Sequence, residues 1–161
     1  DNDLGKRQAM VLTEKETSVI EDLRQQEQNC VEKYKRYAKE AKDEVLRDLF
    51  QKLEKEETNH YESLGQVLNG TVPCVDCNDK DGREYQPKAT YDSMTNSSDK
   101  QSDGFLVTDC IGTEKLVSGT YNNDVFCFGD TNIRKLLADI QIEEQNHAEM
   151  LYKYKTVNGM A

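Results

Sequence analysis

A chain of 161 residues, 35% apolar and 32% charged, is long enough to bury one core and reads as a single domain spanning 1–161. Its formal net charge of −10 argues against a nucleic-acid or anionic-membrane surface, and the lack of any 18-residue apolar run argues against a membrane span. With no Trp and only two Pro, the composition suits helices with narrow apolar stripes and solvated outer faces.

The first ten residues, "DNDLGKRQAM", hold no apolar h-region, so no secretory signal is expected there. Five cysteines, an odd number, do not read as a disulfide framework. A reducing, cytoplasmic setting is the expectation.

From Thr13 to Leu68 there is no Pro, and no Gly before Gly65, while Glu, Lys, Arg, Gln and Leu abound. Apolar residues recur at helical spacing through Leu49, Phe50, Leu53, Leu64 and Val67. The stretch is too long for one ordinary helix, so a turn is expected near "AKDE", with Asp43 capping the second helix of a hairpin over 13–68. Gly, Pro, Asn, Asp and Ser dominate 69–104, which predicts a long connection. It carries "CVDC", Cys74 and Cys77, read as loop thiols, because one CxxC is weak ground for structural zinc. Helical composition resumes at Phe105, breaks at "FGDTN" and returns, which predicts a second hairpin over 105–157. Cys30, Cys110 and Cys127 fall on helices, as small buried hydrophobes usually do.

The two hairpins are copies. A shift of 87 residues lays Glu27 on Glu114, Tyr34 on Tyr121, Asp43 on Asp130, Glu57 on Glu144 and His60 on His147, with twelve identities across the 43 positions from 22 to 64. Both histidines of the chain stand three residues after a glutamate, in "EETNH" and "EEQNH". Helices of about 25 residues are on the order of 37 Å long, and a connection of about 35 residues can cross that length. This predicts an all-α, ferritin-like four-helix bundle: two repeated antiparallel hairpins joined by a long crossover.

On a helix, Glu57 and His60 share a face one turn apart, and Glu27 and Tyr34 share a face two turns apart. Two such hairpins can aim four carboxylates and two imidazoles at one point, the ligand set of di-iron and di-manganese carboxylate proteins. Without cations the four carboxylates would repel and be costly to desolvate. The expected metal ligands are therefore Glu27, Glu57, His60, Glu114, Glu144 and His147, around two Fe, with Mn or a mixed pair as the variant. By symmetry Glu57 and Glu144 would bridge, Glu27 and His60 would end one metal, and Glu114 and His147 the other. Tyr34 and Tyr121 are expected to donate to the carboxylates.

The spacing Glu27-x6-Tyr34…Glu57-x-x-His60, repeated as Glu114-x6-Tyr121…Glu144-x-x-His147, resembles the rubrerythrin branch of the ferritin-like superfamily. The second half, "LVTDCIGTEKLVSGTYNNDVF…IRKLLADIQIEEQNHAEMLYKY", also resembles the spore coat protein F family. The first resemblance implies a di-metal centre that reduces peroxide or activates dioxygen. The second implies a sporulation protein in the spore coat, in which the metal site would be a stabilising staple without turnover. Rubrerythrins carry a further carboxylate three residues after the third-helix Glu; here that position is Val117, matched in the repeat by Cys30, which leaves a plain six-ligand site. The rubredoxin module is missing too, so an electron donor would be a separate protein. The reading leaves room for a homodimer or for coat-protein partners.

Overall fold

Thr13 opens the first helix with a reciprocal cap: its hydroxyl accepts from the Glu16 N–H at 3.1 Å, and the Glu16 carboxylate accepts from the Thr13 N–H at 3.0 Å. In this computed structural model, which describes residues 11–74 and 79–160, α1 then runs over Glu14–Glu40. Asp43 caps α2 (Glu44–Leu68) by accepting from the Val45 N–H, as the sequence indicates. A one-turn helix α3 (Asp81–Glu84) lies in the crossover, α4 spans Ser98–Asp124, and α5 spans Thr131–Val157 behind an Asp130 cap. The described residues contain no strand, and no helix among them is long and apolar enough to cross a membrane. The N-terminal "DNDLGKRQAM" and Cys77 lie outside the described residues.

One boundary departs from the sequence reading. The second hairpin starts at Ser98, not Phe105, so the crossover covers 69–97 rather than 69–104. Ser97 caps α4 by accepting from the Lys100 N–H, and Lys100 is buried, donating to the Asp92 and Thr95 carbonyls at 2.8 and 2.7 Å. The polar run "NSSDKQSDG" is thus a capped first turn whose polar groups are satisfied locally.

Antiparallel α1–α2 and α4–α5 pairs share two apolar clusters, one at each end. Ile20, Leu23, Leu64, Val67, Ile133 and Ile140 belong to the first cluster; Leu46, Phe50, Leu53, Val107, Leu151 and Tyr154 belong to the second. Along each long helix the predicted ligands fall between these clusters. The same order shows α1 and α5 running one way, and α2 and α4 the other.

The crossover leaves the end of α2 through Gly70, whose φ of 91° suits glycine, and returns at the opposite end. There Asp103 accepts from the Lys42 and Asp43 N–H groups, both at 2.9 Å, and from the Tyr91 hydroxyl at 2.6 Å. Asn158 Oδ1 accepts from the Thr90 and Tyr91 N–H groups. Midway, α3 rests on α5: the Gly82 N–H donates to Asn146 Oδ1 at 2.8 Å, and Lys153 Nζ donates to the Gly82 carbonyl at 2.6 Å. A Cβ at position 82 would come within 2.6 Å of Glu149 Oε1 and 2.7 Å of Asn146 Oδ1, so any other residue would displace those side-chain ends.

Asp103 is fully buried, and one carboxylate serves three donors from two segments. Asp103→Ala is expected to lower unfolding stability by about 2 kcal/mol in urea titration, since it leaves three part-buried donors without their acceptor. Asp103→Asn should cost less, because one acceptor remains. A loss under about 1 kcal/mol for the alanine variant would mean that water replaces the carboxylate freely.

Candidate metal centre

Four helices each deliver a carboxylate to the layer between the apolar clusters: Glu27 from α1, Glu57 from α2, Glu114 from α4 and Glu144 from α5, all 0% exposed. His60 and His147, 3% and 0% exposed, stand one turn beyond Glu57 and Glu144. The structure brings all six predicted residues together. Glu27, Glu57, His60 and Glu144 form one group, and Glu57, Glu114, Glu144 and His147 another. Within each group the ligand-type atoms lie within 4.8 Å of one another, and Glu57 and Glu144 belong to both.

Each imidazole turns Nδ1 inward. His60 Nδ1 lies 2.9 Å from Glu57, 3.0 Å from Glu144 and 3.7 Å from Glu27. His147 Nδ1 lies 3.4 Å from Glu114, 3.5 Å from Glu144 and 3.6 Å from Glu57. The rings stack with centroids 5.9 Å apart. Tyr121 donates to Glu27 at 2.5 Å and Tyr34 donates to Glu114 at 2.6 Å, each across the hairpin boundary.

Two further residues belong to the site. His60 Nε2 meets Glu143 at 2.6 Å, and His147 Nε2 meets Glu56 at 2.6 Å. Glu56 and Glu143 are repeat-related, 87 residues apart, and the sequence alone assigns neither a role. The signal was the doubled glutamate in "EETNH" and "EEQNH", whose first member points about 100° around the helix from the second. Glu56 and Glu143 also wall a cavity of about 180 Å³ with Asn59, Asp81 and Asn146.

Of the cysteines, Cys30 and Cys110 are buried as expected, whereas Cys127 is half-buried in the turn after α4 and Cys74 is exposed. Cys30 sits close enough to feel all four carboxylates, which, after burial, push its thiol pKa up.

The centre's electrostatics follow from burial. Desolvation, helped by the Glu57 charge, raises Glu27 to about 7. Burial and the charges of Glu114, Glu57 and Glu27 push Glu144 well above the carboxylate range, and burial with Glu57 also raises Glu114. Burial opposes ionisation of Glu57, but contacts with Glu144 and His60 hold it at about 2. Burial likewise disfavours charge on His147, yet the Glu114 charge and its carboxylate contacts lift it to about 10. His60 is lifted well above its usual value by its contacts with Glu143, Glu144 and Glu27, again against desolvation.

Several atoms remain without a hydrogen-bond partner and sealed from solvent: one oxygen each of Glu27, Glu57 and Glu114, both of Glu144, and His147 Nδ1. Orphaned buried acceptors cost about 1–3 kcal/mol each. A mixed oxygen and nitrogen donor set converging on such atoms fits divalent cations of the iron and manganese kind.

Residues 102–161 match the family model of the Coat F domain. The match takes in α5 and nearly all of α4, with Glu114, Tyr121, Glu143, Glu144 and His147, and it supports the spore coat F resemblance of the second half. No curated protein and no solved structure matches the chain.

The sign of the pH dependence is fixed by the raised groups. A group whose folded pKa is raised stabilises the fold below its unfolded value and loses that contribution as pH rises through the folded one. For Glu27 the window runs from 4.5 to about 7, and for His147 from 6.5 to about 10. Glu57, lowered to about 2, works the other way, but only below 4.5. The thermal midpoint of metal-free protein should therefore fall as pH rises from about 5 to about 8. A flat or rising midpoint over that range would contradict the buried, proton-holding centre.

Proposed function

We propose that this chain is a spore coat protein, a ferritin-like four-helix bundle in which a buried pair of metal ions staples the two hairpins together. The observation that carries the metal reading is the convergence of six buried ligand side chains, three from each hairpin, with acceptors left unpartnered. Support for the coat assignment is the Coat F match over 102–161. Support for the ferritin-like part of the reading is the single long crossover that runs between the two ends of the helices.

In this reading Glu57 and Glu144 bridge the ions, Glu27 and His60 complete one, and Glu114 and His147 complete the other. Four carboxylates balance two divalent cations, so loading removes the repulsion that forces protons onto Glu27, Glu114 and Glu144. An ion that binds only the folded state stabilises it by about 4 kcal/mol when present at a thousand times its dissociation constant. Iron and manganese suit the donors, and bound iron would supply redox chemistry as well as charge.

A second reading, reduction of peroxide or activation of dioxygen with a separate electron donor, draws on one feature. A groove of about 450 Å³ between α1 and α4 is lined by Gln26, Cys30, Thr113, Leu116 and Val117, within one turn of Glu27 and Glu114. A small uncharged molecule could approach the centre there.

Elemental analysis of protein made with iron or manganese supplied should give about two ions per chain. Chelation should lower the thermal midpoint, and Glu57→Ala or Glu144→Ala should abolish binding of both ions because each side chain belongs to both groups. A chain that takes up no metal, with a midpoint indifferent to added metal, would sink the staple. Sustained peroxide consumption by loaded protein with a reductant would favour the second reading instead.

A further inference from the structure

We propose that Glu143 and Glu56 are the positioning residues of this centre, each fixing the histidine of the opposite hairpin. The inference rests on the metal reading above and concerns how the two imidazoles are aimed.

An imidazole that ligates through Nδ1 must carry its proton on Nε2, and the group accepting that proton sets both tautomer and ring angle. His60 presents Nε2 to Glu143 and His147 presents Nε2 to Glu56, both at 2.6 Å. The contacts are short, charge-assisted and reciprocal: the α2 histidine is held by α5, and the α5 histidine by α2. Neither carboxylate belongs to the ligand groups.

Their surroundings keep them suited to it. The side chains of Glu56 and Glu143 are 24% and 18% exposed, partly wetted at the cavity wall, unlike the fully sealed ligands. Glu56 is held by Lys52 at 3.1 Å, and Lys52 also binds Asp81 of α3 at 3.0 Å. The crossover helix therefore braces the residue that orients His147.

A neutral acceptor of the same shape isolates the effect. Co2+ is the probe, because hyperfine-shifted proton signals report each ligating imidazole N–H separately. Wild-type protein loaded with Co2+ should show two exchangeable shifted N–H signals. Glu143→Gln should move or broaden one of them and weaken one of the two ions about 10- to 100-fold, and Glu56→Gln should do the same to the other. Glu143→Asp, which shortens the reach but keeps the charge, supplies a second arm should the amide perturb folding. Its loss should be smaller if charge is the main requirement.

The outcomes separate the two claims. Wild-type protein that binds Co2+ normally, with both glutamine variants unchanged in affinity and signals, would overturn the positioning role and leave the metal centre standing. Wild-type protein that binds no Co2+ would remove the metal reading itself. A uniform weakening of both ions by either single variant would also count against the pairing, since it would reflect the fold and not one imidazole.

Discussion

Four carboxylates held at 0% exposure in the middle of a helical bundle set the terms for everything around them. Unscreened and unpaired, such a group would neutralise itself or prevent folding. Here the cost is spread over several devices. Two tyrosine hydroxyls donate inward, two imidazoles are drawn to the protonated form, and three of the four carboxylates are pushed towards holding protons. Apolar clusters at either end supply the burial that offsets the polar layer.

The repeat explains why these devices come in pairs, and the packing explains why they cross. Tyr121 serves Glu27 while Tyr34 serves Glu114; Glu143 serves His60 while Glu56 serves His147. These hydrogen bonds to Glu27, Glu114, His60 and His147 thus all span the two hairpins. Docking of the hairpins and assembly of the centre are one event in this geometry. The crossover breaks the symmetry: Asn146 accepts from the Gly82 N–H, whereas its repeat partner Asn59 lines the cavity.

Much of this was legible in the chain because the informative signals are local or periodic. Asp43 and Asp130 cap helices where the repeat put them, and the i, i+3 spacing of Glu57 and His60 forces both onto one face. The register of 87 residues picks out all six side chains that converge in the buried layer. What the sequence hid depends on contacts between distant segments. Ser98–Gly104 has loop-like composition, and only the buried Lys100 ammonium and the Asp103 clamp show why it is helical. Glu56 and Glu143 looked like solvated charges beside a ligand; their role needs the opposite helix at 2.6 Å. Gly82 gave no hint of its contact with Asn146, because a close approach leaves no periodic trace.

The Coat F match stops at the second hairpin, and that boundary has physical content. Residues 102–161 carry Glu114, Glu144 and His147, half of the buried cluster, together with Tyr121 and Glu143, which hydrogen-bond to Glu27 and His60 of the first hairpin. The matched segment therefore contains polar groups that in this chain are partnered by the first hairpin. In this chain the first hairpin supplies their partners, tethered by the crossover, which makes the encounter intramolecular and raises the effective concentration of one half for the other. A tether of this kind favours a centre that forms once and persists. That would suit the proposed staple, whereas the redox reading would need in addition a path for electrons and substrate through the α1–α4 groove.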